Sequence, residues 1–239
     1  MLHNKQRKIN IMNLNDILKL LESHRSDKEK PGLIKSGQKK LQSWGISIQK
    51  LKDIGRQIGS NHKLASELWD TLIYDALVLS TIIDNPKEIT REQVDMQIKD
   101  VDFWQLSTLF TNMVCKTNFA KEKAEEWTSS DDDVQRRCGY ALLYHIARDD
   151  KKIEDAFFEK FLEIIKNKIS SEANQVKEAM NKALLQIGQR SENLNKKALA
   201  LSREIGNIEI ASDSIHEEIP DVVKILSSKK VQENLRNDS

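Results

Sequence analysis

Three groups of residues in this chain have the types and spacing that chemistry could use. The first is Arg136-Arg137, set against an apolar helical stripe, with Arg137 three residues from Val134 and four from Ala141. An arginine at the edge of such a stripe either covers the core with its stem and keeps its head in water, or is held pointing into a groove. In a groove, its rigid fork of donors suits a phosphate or a carboxylate. The second group is a ladder, Glu178, Lys182, Gln186 and Arg190, whose members stand four residues apart opposite an alanine-rich packing side. The third is Trp104, Thr108 and Asn112, a polar–aromatic ladder at the same spacing. Cations on such ladders neutralise backbone phosphates, and an exposed tryptophan stacks on sugar or base. Solvated lysine faces and half-buried tryptophans share these spacings, so nucleic-acid binding and a peptide-binding scaffold both remain open from the residues alone.

Other chemistries find little to stand on. There is no P-loop, no glycine-rich dinucleotide fingerprint, no HExxH and no CxxC. His3, His24, His62, His145 and His216 do not cluster, so neither a metal nor another cofactor is expected. Asp131-Asp132-Asp133 falls at a helix start, where carboxylates meet unsatisfied N–H groups and the positive end of the helix dipole. Cys115 and Cys138 lie on apolar runs and read as free thiols in a reducing compartment. With 38 basic and 37 acidic residues the net charge is +1, so a basic face would have to come from segregation of charge. The basic start lacks an apolar leader core, and no run approaches membrane-spanning length. The expectation is a cytoplasmic protein with no membrane contact.

The elements that would carry these residues read as helices throughout. Leu14, Ile17, Leu18 and Leu21 make a first short helix, followed by a basic, polar stretch from His24 to Lys40 broken at Pro31-Gly32. Ser47 caps a helix through Ile48, Leu51, Ile54 and Ile58 that Gly55 interrupts, and others follow in HKLASELWD and from Leu72 to Ile83. Asp84-Asn85-Pro86 ends the last of these. Thr90 with Gln93 and Ser130 with Asp133 have the spacing of capping boxes. A hairpin from Asn118 to Asp149 carries the stripe Val134, Cys138, Ala141, Leu142 and His145. Further helices run through Phe157 and Phe161, from Ser171 to Ile187, and through Leu194 to Ile205, with a small one near Val222 to Leu226. Helix pairs recurring at roughly forty residues point to HEAT-like repeats, which bury a core only by stacking on their neighbours. A non-repeating helical bundle is the plainer alternative. The expected layout is an N-terminal helix and basic linker at 1–40, a repeat body at 41–206 and a tail with a short helix at 207–239.

Several segments together resemble the DNA alkylation repair family, the AlkD-like HEAT-repeat alkylpurine DNA glycosylases. They are WGISIQKLKDIGRQIGSNHKLASELWDTLIYDALVLSTIID, ITREQVDMQIKDVDFWQLSTLFTN, FAKEKAEEWTSSDDDVQRRCGYALL and NQVKEAMNKALLQIGQRSENLNKKAL, in the family's order over about residues 40 to 205. The resemblance implies an all-α fold of HEAT-like repeats wound as a right-handed α–α superhelix, an alpha solenoid. It also implies a monomer that binds double-stranded DNA in a concave groove, and hydrolysis of the N-glycosidic bond of cationic purines such as 3-methyladenine and 7-methylguanine.

Carried over by position, the resemblance puts the catalytic tryptophan at Trp104 and the phosphate-binding arginine at Arg137, with Arg136 beside it. In the DNA-binding reading, Lys182, Gln186 and Arg190 of the ladder would be further DNA contacts. Two catalytic positions depart from the pattern: the aspartate falls at Thr108, and the second aromatic falls at Lys182. The arginine of an upstream segment is replaced by Val78. A cationic purine is already a good leaving group, so the enzyme's task is to stabilise the developing oxocarbenium sugar with a carboxylate. Threonine cannot offset that charge, and lysine opposes it. Asp102, two residues before Trp104, is the available substitute carboxylate. The expectation is a DNA-binding family member whose excision activity is in question, with a HEAT-repeat scaffold for DNA or protein as the alternative.

Overall fold

The computed structural model describes residues 13–26, 41–101, 104–206, 208 and 219–237. These fall into two compact units, Met1–Phe119 and Ala120–Ser239. The first twelve residues, most of the basic stretch from His24 to Lys40 and most of 207–218 lie outside the described residues.

The first unit contains α1 (Leu14–Ser23), α2 (Ile48–Ile58), α3 (His62–Trp69), α4 (Tyr74–Ile83), α5 (Arg91–Gln97) with a 3-10 turn at Ile98–Asp100, and α6 (Trp104–Val114). Side chains at the starts take up orphan N–H groups: Asn13 in a capping box with Asp16, Ser47 to Lys50, Asn61 to Leu64 and Thr90 to Gln93. Gln93 does not complete a box with Thr90, because its amide donates to the buried Asp84 at 2.9 Å. α4 is apolar on every side, and it is accordingly buried on nearly every side. It packs on α1, α2, α3 and α6, while α1 also packs on α3. Gly55 does not interrupt α2; a Cβ there would lie 2.4 Å from Cγ2 of Ile82, so the glycine lets α2 and α4 approach closely. Asp75, fully buried in the first turn of α4, accepts from the Trp44 and Ile46 amides at 2.7 and 2.8 Å and from the Ser43 hydroxyl at 3.0 Å. Three donors compensate a carboxylate that would otherwise be costly to bury.

The second unit contains α7 (Ala120–Thr128), α8 (Asp133–Asp149), α9 (Asp155–Lys168), α10 (Asn174–Ile187), α11 (Glu192–Ile205), α12 (Val222–Leu226) and α13 (Lys229–Asn237). The last of these was not expected from the sequence. The cap of α8 lies two residues after the expected Ser130. Asp132 is its cap, accepting from the Gln135 amide at 2.8 Å, while the Ser130 hydroxyl accepts from the Asp132 amide. α7 packs on α8, and α8 on α10. At Gly139 the α7–α8 approach is so close that a Cβ would meet the Thr128 amide nitrogen at 2.5 Å.

Within each unit, alternate helices touch. α2, α4 and α6 form one row and α1 and α3 begin another; α8, α10 and α12 form a row beside α9 and α11. Contacts to the next helix and to the next but one are how stacked helical pairs bury a shared core. The architecture is all-α and HEAT-like, as expected. The starts of α2, α4 and α6, at Ile48, Tyr74 and Trp104, come closer together than the roughly forty-residue period read from the sequence. Among the described residues, no helix is long and apolar enough to cross a membrane.

Candidate nucleic-acid interface

The arginine pair sits on α8 where that helix faces α10. The two guanidinium groups are treated very differently. Arg136 is spent: its Nε and Nη2 donate to Oε2 of Glu172 at 3.1 and 3.0 Å, Nη1 donates to the Ser130 carbonyl at 2.9 Å, and Nη2 also reaches Asp133. Burial pulls its pKa down, but hydrogen bonds and charge from Glu172 and Asp133 outweigh that and raise it overall.

Arg137 is 4% exposed, so its head is not in water. Nη1 donates to Oε1 of Gln175 at 2.7 Å, while Nε and Nη2 are buried without a partner. Each unmet buried donor costs about 1–3 kcal/mol. Among the described residues no carboxylate pairs with Arg137. Three residues on, Tyr140 is fully buried with an unpartnered hydroxyl. Burial first, and the charge of Glu172 second, push its phenol far above the usual range, against the opposing charge of Arg136. Apolar periodicity did not reveal Tyr140, Glu172 or Gln175, because their importance depends on which part of α10 lies against α8.

The ladder on α10 is similarly divided. Lys182 Nζ donates to Oε1 of the buried Glu178 at 2.9 Å, so its charge is matched. Gln186 is half-buried one turn further on. Lys182 stands about 10 Å along the helix from Gln175, so the ladder does not join the Arg137 cluster. Arg190, just past α10, holds the loop between α8 and α9. Nη1 donates to the Ala147 and Asp150 carbonyls at 2.7 and 2.9 Å, Nη2 donates to Ile153 at 2.8 Å, and the guanidinium lies 4.3 Å over the Phe158 ring.

In the first unit, Trp104 is the half-buried first residue of α6 and Thr108 is exposed one turn later. The Thr108 hydroxyl donates to the Trp104 carbonyl at 3.0 Å, turning back on its own helix. Asp102 lies outside the described residues. Asp100 accepts from the Trp69 indole at 2.9 Å. Among the described residues, no group of three or more His, Cys, Asp or Glu side chains could hold a metal ion.

A family model described as DNA alkylation repair enzyme matches residues 17–210. The chain belongs to the DNA alkylation repair family. Two relatives are similar to this family member along most of their length. Uncharacterized protein Lin0241 of Listeria innocua is 25% identical over 199 residues, covering 81% of this chain and 86% of its own. Uncharacterized protein Lmo0209 of Listeria monocytogenes is 26% identical over 195 residues, covering 80% and 84%. A solved structure from a family related to the HEAT-like repeat DNA glycosylases, with affinity for branched DNA structures, matches with a TM-score of 0.82. That match covers 95% of each chain at 23% identity and shows a shared fold.

Proposed function

We propose that this family member binds DNA through backbone phosphates and does not excise bases. The observation that carries the proposal is Arg137: a cation held in place on α8, with two donors unspent and no carboxylate partner among the described residues. A phosphate oxygen would satisfy what the folded protein leaves unmet. Excision is disfavoured by Thr108, whose hydroxyl is directed into its own helix and carries no charge to balance an oxocarbenium ion. At the position of the second aromatic, Lys182 adds an ammonium group rather than a π-face. The affinity of the similarly folded protein for branched DNA extends the proposal from linear duplex to junctions.

The test measures affinity for linear and branched duplexes at two salt concentrations, alongside release of methylated purines from alkylated DNA. We expect salt-dependent binding, release no faster than spontaneous depurination, and for Arg137→Ala a salt slope smaller by about one phosphate contact. Absent or salt-insensitive binding would leave only a helical scaffold. Release above the spontaneous rate would restore the glycosylase assignment and send the search to Asp102.

A further inference from the structure

Leu72, in the turn between α3 and α4, is 48% exposed, one of two large apolar side chains among the described residues that stand so far out. It is also the one described residue other than glycine with a left-handed backbone, at φ 52°. Glycine or asparagine would sit there without the clash that a leucine Cβ makes with the neighbouring carbonyl. The turn holds it in place nonetheless. The Leu72 amide donates to the Trp69 carbonyl at 3.1 Å, the Ile73 amide to the Thr71 hydroxyl at 3.3 Å and the Tyr74 amide to the Gln42 carbonyl at 2.9 Å. Trp69 is itself braced by the bond from its indole to Asp100 at 2.9 Å. Backbone strain fixed this firmly, under an apolar side chain turned to solvent, serves no packing and belongs with residues that meet a ligand.

The surroundings of Leu72 say which ligand. It lies two residues before α4, and Tyr74, the first residue of α4, donates its hydroxyl to the Gln105 side-chain oxygen at 2.5 Å. The first turns of α4 and α6 are thereby tied side by side, with the half-buried Trp104 at the start of α6. Neither helix carries a lysine or arginine, and their one charged residue, Asp75, is buried and met by three donors. Asp70, in the same turn as Leu72, is exposed and acidic. A phosphate finds nothing to hold it here, whereas an apolar tip near an indole suits the flat, uncharged face of an unstacked base. We propose that Leu72 is a wedge that enters a loosened base step, with the distorted step at a DNA branch point as its ligand. The wedge rests on the DNA binding proposed above and adds to it a contact that reads base stacking rather than phosphate charge. A wedge must not fold back when pressed, and the pinned left-handed turn supplies that rigidity.

The experiment uses the full chain with linear and branched duplexes, the branched one carrying at its branch point a fluorescent base analogue that brightens on unstacking. Wild type should brighten the analogue on binding. Leu72→Asn suits the left-handed backbone and removes the apolar tip. It should melt no lower than wild type, yet bind branched DNA about tenfold more weakly and without the fluorescence rise. Linear duplex, whose steps are stacked, should be much less affected. The salt slope should keep its wild-type value, because no phosphate contact is lost, in contrast to Arg137→Ala. Leu72→Met keeps an apolar tip and should retain most of the affinity and the rise. If Leu72→Asn binds branched DNA as wild type does and still brightens the analogue, the wedge is overturned while the proposed function stands, and the leucine is left to a protein partner. Weaker binding with a smaller salt slope would trace to phosphates and overturn the wedge as well. If wild type binds no DNA, the proposed function fails and the wedge with it.

Discussion

Replacing Arg190 by alanine separates a structural arginine from a DNA-contacting one. In the folded chain, three of its hydrogen bonds end on the carbonyls of Ala147, in the last turn of α8, and of Asp150 and Ile153, in the connection to α9. At a net of about 1 kcal/mol for each bond, the carbonyls contribute about 3 kcal/mol. The Phe158 ring at 4.3 Å adds roughly 0.5–1 kcal/mol, so the variant should lose about 3–4 kcal/mol. Burial pulls the Arg190 pKa down, and the charges of Asp155 and Asp150 partly restore it, so the group stays cationic at neutral pH. Urea unfolding monitored by circular dichroism gives the stability difference, and DNA affinity is measured well below the unfolding midpoint. Arg190→Lys, which keeps the charge but not the fork, should recover only a minor part of the loss. Unchanged DNA affinity at full stability cost is the expected result. A stability loss below about 1 kcal/mol together with a smaller salt slope would refute the reasoning and return Arg190 to the DNA contacts.

Two further outcomes follow from the packing of α8. Gly139→Ala would drive a Cβ into backbone atoms of Trp127 and Thr128, at 2.8 and 2.5 Å, and backbone yields poorly. The unfolding midpoint should fall by an amount worth about 1–3 kcal/mol, and an unchanged midpoint would show that α7 can move away. For Tyr140→Phe the effect depends on pH. The folded phenol titrates above its unfolded value of about 10, so the stability it supports is whole below that pH and is lost as pH rises beyond it. The wild type should therefore weaken above about pH 10 more steeply than Tyr140→Phe. At neutral pH the variant should be no less stable, because the deleted hydroxyl has no partner. Parallel alkaline limbs in denaturant titrations would contradict this.

Helices were legible in the sequence because their cause is local. Three-and-four spacing, Ser47 and Thr90 as caps, and the stop at Asp84-Asn85-Pro86 need no knowledge of the rest of the chain. The stripe Val134, Cys138, Ala141, Leu142 and His145 lies on α8, but that helix is covered from two sides, by α7 and α10. For that reason Arg137, Gly139 and Tyr140 are buried as well, which a single-face periodicity does not foresee. Asp132 took the cap that the spacing gave to Ser130; both are good acceptors, and the local turn decided between them. The polar partners of the candidate site were the least legible part. Glu172 and Gln175 meet the arginines only because α10 stacks on α8, and Arg190 finds its carbonyls at the end of α8 and in the loop after it, about forty residues earlier. Family resemblance pointed to Trp104, Thr108 and Arg137 as candidates, but could not say which donors were already engaged.

The sequence separations of the polar ties have a kinetic consequence. Trp44 to Asp75 and Trp69 to Asp100 each span 31 residues, Arg136 to Glu172 spans 36, Arg137 to Gln175 spans 38, and Arg190 to Ala147 spans 43. Each closes a loop of about one repeat. Loop-closure entropy is then met in small, similar steps, and folding can begin wherever one helical pair first collapses and spread from there. Opening should proceed in the same modules. Amide protons of α8 and α10 would exchange together, at a rate set by that pair and its immediate neighbours. The opening that uncovers the buried fork of Arg137 would then be a local event of the second unit, needing no global unfolding.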